Sequence, residues 1–140
     1  MTVAYAISRA DLVIIPTQGS QLDAAEATKA IKLIKQQERL PHKTIPYAIL
    51  FTRTSPTIRQ RTLKHIQEEF GKYGVHAFET QIHEREAYRA LFSFGGTLGS
   101  LRPDQVTSLE AAVSNARSFA AEVVALLRGG AQESKLAGAA

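Results

Sequence analysis

The chain has 140 residues, 44% hydrophobic and 21% charged, with 17 Lys and Arg against 13 Asp and Glu for a formal net charge of +4. This is the length of about one domain with enough apolar residues for a core, which excludes disordered and fibrous classes. The absence of cysteine removes disulfide frameworks, thiolate nucleophiles and cysteine-held metals. No run reaches the ~18 apolar residues of a membrane span, and Met1 to Ser8 has neither the basic nor the apolar part of a secretory leader, so a cytoplasmic protein without membrane contact is expected.

The first element is the run Asp11-Leu12-Val13-Ile14-Ile15-Pro16. Strands of a parallel sheet are buried on both faces and read as continuous apolar runs, so this is expected to be a central strand. The ten residues before it supply little of a sheet, and the expectation is a domain with part of its sheet missing or borrowed. Thr17-Gln18-Gly19-Ser20 is a turn. Ser20 or Asp23 then caps a helix with apolar positions Ala24, Ala27, Ile31 and Ile34 at spacings of three and four, ended by Leu40-Pro41. Ile45-Pro46 leads into a second strand, Tyr47-Ala48-Ile49-Leu50-Phe51, which ends in Thr52-Arg53. Strand, helix, strand in this order predicts a parallel crossover.

Ser55-Pro56 starts a second helix, the hydroxyl as N-cap and the proline at the first position, where its missing N–H costs nothing. Ile58, Leu63, Ile66 and Phe70 form its apolar stripe, and Gly71 or Gly74 stops it. A short strand Val75–Phe78 is expected next, then a loop Glu79–His83, a short helix from Glu84 to about Phe92, and a loop containing Gly95, Gly96 and Gly99. In the final helix Val106, Leu109, Val113, Ala116, Ala120, Val123 and Leu127 step by three and four, with Asp104 as N-cap and Gly129-Gly130 as the end. The heptad spacing fits a helix packed on a domain better than a coiled-coil seam. Residues 1–130 are thus expected to form one α/β unit, a parallel sheet flanked by helices, and 131–140 a disordered tail.

No G-x-x-x-x-G-K-[ST] phosphate loop occurs, and Gly95, Gly96 and Gly99 are followed by no lysine. His42, His65, His76 and His83 have no metal-binding spacing and read as solvated or core residues, and no G-x-S-x-G elbow presents a serine. The charge is uneven: from Thr28 to Lys72 there are ten Lys or Arg against three Glu, a local +7 that leaves −3 for the rest. Arg59, Arg61 and Lys64 follow the strand-end Arg53, so the start of the second helix can turn guanidinium groups and free backbone N–H groups toward a phosphate. A solvated helix face carries the same pattern, and the sequence leaves these two readings level. Aromatics are not interleaved with these charges, which favours duplex backbone contact over single-strand binding. Arg85 and Arg89 stand one turn apart, with Glu84 or Glu86 in reach for pairing within the helix.

Three blocks in this order, Arg9-Ala10-Asp11-Leu12-Val13-Ile14-Ile15-Pro16 with Leu22-Asp23, then Phe51-Thr52-Arg53, then Thr80-Gln81-Ile82-His83-Glu84-Arg85-Glu86-Ala87-Tyr88, resemble the C-terminal half of the ParA/MinD-type deviant-Walker ATPases, the partition proteins that move plasmids and chromosomes. The first and third blocks look most like the VirC-type relatives of conjugative and tumour-inducing plasmids, and the resemblance spans roughly Arg9 to Leu101. It implies an incomplete P-loop NTPase-like fold and a basic surface that holds duplex DNA without sequence preference, through Arg53, Arg59, Arg61 and Lys64. It also implies that Thr52, Arg53, Ile82 and Arg85 lie near the adenine side of a nucleotide site. The full-length family uses ATP and magnesium. The lysine-bearing loop and the metal-binding aspartate belong to an N-terminal half that is not in this sequence, so no catalytic residue, metal site or cofactor is expected for the chain alone. Two other readings stay open: an interaction module that pairs with itself or regulates a full-length ParA-like ATPase, and a truncated product without independent function.

Overall fold

A computed structural model describes residues 2–39, 43–56 and 61–138, with side chains up to 129. Leu40, Pro41, His42, Ile58 and Arg59 lie outside the described residues. The elements are α1 (Val3–Ser8), β1 (Val13–Thr17), α2 (Gln21–Arg39), β2 (Tyr47–Thr54), α3 (Arg61–Lys72), β3 (Ile82–His83), α4 (Glu86–Phe94), a 3-10 turn (Leu98–Ser100) and α5 (Leu109–Gly138). The strands form one parallel sheet in the order β1-β2-β3, with Val13 opposite Tyr47 and Thr17 opposite Phe51. This is the α/β architecture expected: a parallel sheet flanked by helices with a long C-terminal helix, consistent with part of a P-loop NTPase-like domain.

The alternation of β2 divides the core. Ile49 and Phe51 face one side together with Ile15 of β1, where Ala27 and Ile34 of α2 and Leu63, Ile66 and Phe70 of α3 close over them. Ala48 and Leu50 face the other side, under Phe119, Val123 and Leu126 of α5 together with Phe78. Both layers are closed by tilted aromatic pairs, Phe51 with Phe70 at 6.4 Å and Phe78 with Phe119 at 5.3 Å. β2 is therefore the central strand, and its residues Ala48 to Phe51 are all buried. β1, expected at the centre, has a strand partner on one side only among the described residues, and its Pro16, which lacks an N–H to donate, is exposed.

Local signals at helix ends explain most boundaries. The Ser20 hydroxyl accepts from the Asp23 N–H at 3.2 Å and donates to its carboxylate, an N-terminal box that opens α2. At the other end of α3, the Val75 N–H reaches the Phe70 carbonyl at 3.0 Å and the Gly74 N–H reaches Gly71 at 3.1 Å. This is a Schellman cap, and it requires the φ of +68° that Gly74 adopts.

Four boundaries differ from expectation. The Val75–Phe78 strand is reduced to one parallel bridge between Ile49 and Ala77, and pairing resumes at Ile82–His83, where a loop was expected. The cause is a bulge: Thr52 and Thr54 oppose Ile82 and His83, so Arg53 is an extra residue, held at φ +54°. α4 starts at Glu86, with Arg85 at its N-cap position. α5 starts at Leu109, after a turn in which Ser108 has φ +53°, so Asp104 caps no helix and instead pairs with Arg102 at 3.2 Å.

The buried stripe of α5 departs from the predicted one only in part: Leu109 and Val123 pack inward as expected, and Val113 and Ala116 are half-buried. Ala112, Phe119 and Leu126 point inward, whereas Ala120 and Leu127 are exposed. The inward face is the one on which Phe119 meets Phe78. Finally, α5 does not stop at Gly129-Gly130, and residues 131–138, expected as a disordered tail, continue its backbone. Each glycine costs about 1 kcal/mol against alanine, and the following Ala, Gln, Glu, Lys and Leu are good helix formers with no proline among them.

Candidate functional site

In open α/β sheets, ligands bind outside the carboxyl ends of the strands. One cavity, about 560 Å³ between α2 and α3, reaches the sheet at Tyr47, the amino end of β2, which is the wrong end for this chemistry. A second groove of about 370 Å³ lies at the right end, where β2 and β3 finish and α4 begins. Its walls include Thr52, Arg53, Ile82 and Arg85, so four residues that the sequence separates by up to 33 positions share one concavity. Tyr88, Arg89 and Phe92 of α4 complete it.

The bulge at Arg53 turns its side chain out to the rim. There the Glu84 carboxylate accepts from Arg53 at 3.5 Å and from Arg89 at 3.0 Å. Glu84 stands before α4, so its pairing links a strand end to a helix rather than running within the helix as expected; Glu86 instead accepts from the Thr107 hydroxyl at 2.8 Å. Arg85 is left without a carboxylate, and its Nε is a buried N–H with no hydrogen-bond partner among the described residues. A stranded buried donor costs about 1–3 kcal/mol, so this atom has a standing demand for an acceptor.

The floor of the groove is rigidly held. Thr54 Oγ1 and His83 Nδ1 are 2.9 Å apart. Burial, and then the nearby Arg85 guanidinium, push the His83 imidazole below its ordinary range, against the Thr54 contact. Behind it, Asn115 of α5 joins three parts of the loop: its Nδ2 donates to the Gln81 carbonyl at 2.7 Å, and its Oδ1 accepts from the His83 N–H at 3.1 Å and the Tyr88 hydroxyl at 3.2 Å. Tyr88 also donates to the Ala112 carbonyl at 2.8 Å, and burial raises its phenol above the usual range. Two turns further on, Glu122 accepts from the Glu79 N–H at 3.0 Å and the Thr80 N–H at 2.7 Å. Burial alone would raise its carboxyl, but the hydrogen bonds from Thr80 and Glu79 and the charge of His76 outweigh that and hold it below the usual carboxylate range.

Asn115, Glu122 and Phe92 do not stand out in the sequence. Asn115 and Glu122 sit on a helix where polar residues read as solvated, and their targets are backbone groups that carry no sequence signal.

The basic residues are less concentrated than the groove. Arg61 and Lys64 are exposed in the first turn of α3, Lys64 within 3.8 Å of Glu68. Arg53 is committed to Glu84, and Arg59 lies outside the described residues. Among the described residues no group of three His, Asp or Glu side chains is placed to hold a metal ion, and no helix is long and apolar enough to cross a membrane.

The fold is α/β, a parallel sheet flanked by helices, consistent with a partial P-loop NTPase-like domain, and a groove lies at its strand ends. The chain is 40% identical over 118 residues to Protein ParA of Rhizobium radiobacter, a match that covers 84% of this chain and 53% of that protein. The chain spans about half the length of this curated relative. No protein-family model matches it.

Proposed function

We propose that the chain corresponds to the C-terminal half of a ParA-like partition protein, of the VirC-like branch, and that it carries a duplex DNA-binding face at the start of α3. The observation that carries this reading is the pair of exposed cations Arg61 and Lys64, inside the +7 segment of a chain 40% identical to a ParA protein. Arg53 and Arg59 precede them in the sequence and are part of the same proposal. Contacts of this kind go to phosphates, so binding is non-specific and salt-dependent.

The strand-end groove is proposed as the adenine side of a nucleotide site, with Thr52, Arg53, Ile82 and Arg85 as its walls. The stranded Arg85 N–H and the apolar lining fit a ring with an acceptor atom. The lysine-bearing loop that grips phosphates, and with it ATP hydrolysis, is not proposed for these residues. The same relationship suggests DNA or ParA-like proteins as partners.

The DNA reading is tested by fluorescence anisotropy with random-sequence duplexes over a salt series. The double variant Arg61→Glu, Lys64→Glu should weaken binding to every sequence alike and flatten the slope of log K against log salt by about 2, near 0.9 for each phosphate no longer neutralised. Absence of binding at low salt, or an unchanged slope, would show that this face is not the DNA site.

A further inference from the structure

Phe92 is 95% exposed, the most exposed large apolar side chain among the described residues. α4 does not need it for packing, because Ala87 and Ala90 form its buried stripe against Leu101, Val106 and Ala112. Leaving a phenyl ring in water forgoes a large part of the stabilisation its burial would give. The ring is not an isolated exposure either, since it lines the strand-end groove beside Arg85, whose buried Nε–H lacks an acceptor among the described residues. The groove carries Arg53, Arg85 and Arg89 against the one carboxylate of Glu84, an excess of positive charge. Its back wall cannot collapse onto the ring, because Tyr88 is fixed to Ala112 and His83 to Thr54 and Asn115.

An apolar face standing free, a hydrogen-bond donor without a partner and surplus cations select a flat ring that bears acceptor atoms and is joined to an anion. That is the chemistry of an unpaired nucleobase with its phosphate. Saturated apolar ligands would satisfy the ring but not Arg85, and a bare phosphate would satisfy Arg85 but not the ring.

We infer that Phe92 is the stacking face for an unpaired base in this groove, with Arg85 Nε as a donor to one of the ligand's acceptor atoms. This rests on the groove being a nucleotide site and adds to it a residue that fixes base affinity. The base can belong to a free nucleotide or to an unpaired strand, and the two are separated by experiment.

The chain contains no tryptophan, so Phe92→Trp introduces a single tryptophan, excitable apart from the four tyrosines, at a position open enough to accept it. Adenosine 5′-monophosphate should quench its emission saturably, and ribose 5-phosphate should not. In the otherwise unchanged chain, Phe92→Ala should weaken binding of the same nucleotide by roughly tenfold, while Phe92→Tyr retains it, because base–aromatic stacking is of that size. Quenching at much lower concentration by a deoxyadenylate octamer assigns the base to a single strand; equal or weaker quenching assigns it to the free nucleotide. If the nucleotide perturbs the amide resonances of Thr52 and Ile82 but the tryptophan is not quenched, the base lies away from Phe92: the inference fails and the nucleotide groove stands. If it perturbs neither, both fail. If Phe92→Ala leaves nucleotide binding intact and turns a sedimenting dimer into a monomer, the ring serves self-association and the inference is overturned.

Discussion

Replacing Asn115 by alanine tests whether α5 sets the shape of the groove. The amide makes three hydrogen bonds, but they are not equal in consequence. The Tyr88 hydroxyl has one proton and a shorter acceptor in the Ala112 carbonyl, 2.8 Å against 3.2 Å, so it loses little. The Gln81 carbonyl and the His83 N–H are half-buried and are both stranded. At about 1 kcal/mol for each stranded group, Asn115→Ala should cost about 2 kcal/mol, a sizeable part of the ~5–15 kcal/mol that stabilises a domain. For a chain of this length that lowers the thermal midpoint by about 6 °C. Urea unfolding gives the free energy, and hydrogen exchange gives the location: the His83 amide should exchange faster while amides in α2 keep their relative protection. A loss below about 0.5 kcal/mol, or an unchanged His83 exchange rate, would refute the view that Asn115 holds this loop.

Other consequences concern protons and turns. Because burial and Arg85 depress the His83 pKa in the folded chain, the unfolded chain binds more protons below the ordinary value of 6.5. The stability that His83 contributes is therefore complete above 6.5 and is lost as pH falls through its lower folded value; an imidazole titration by NMR that shows a midpoint above 6.5 would contradict this. Glu122 has the same sign at lower pH: its contribution is present above 4.5 and lost as pH falls through its folded pKa, so Glu122→Gln should flatten the acid limb of a stability profile. Gly74→Ala meets no atom within 4 Å, so its cost is conformational alone, about 1 kcal/mol for the positive φ, and should appear as a lower urea midpoint with an unchanged slope.

Much of the fold is legible in the chain because its signals are local. The continuous apolar run Tyr47–Phe51 specifies a buried strand, Ser20 or Asp23 marks a helix start, and Gly71 or Gly74 marks a stop, each through chemistry contained within a few residues. The likeness of Phe51-Thr52-Arg53 and Ile82-His83-Glu84-Arg85 to one family also brings four groove residues together from sequence alone. What the sequence could not carry is the choice among equivalent faces and the pairing of distant groups. Of the predicted α5 stripe Leu109 and Val123 pack inward, but spacing alone does not show that Phe119 and Leu126 join them while Ala120 and Leu127 face out; the contact of Phe119 with Phe78 goes with that choice. Asn115 and Glu122 bind backbone atoms more than 30 residues away, for which no side-chain pattern exists. Aromatic residues are not interleaved with the basic run from Arg53 to Lys64, yet the bulge and α4 bring Phe92 into the groove that Arg53 and Arg85 line. Local free energies determined the elements of this protein, and long-range packing decided which of their exposed groups share a site.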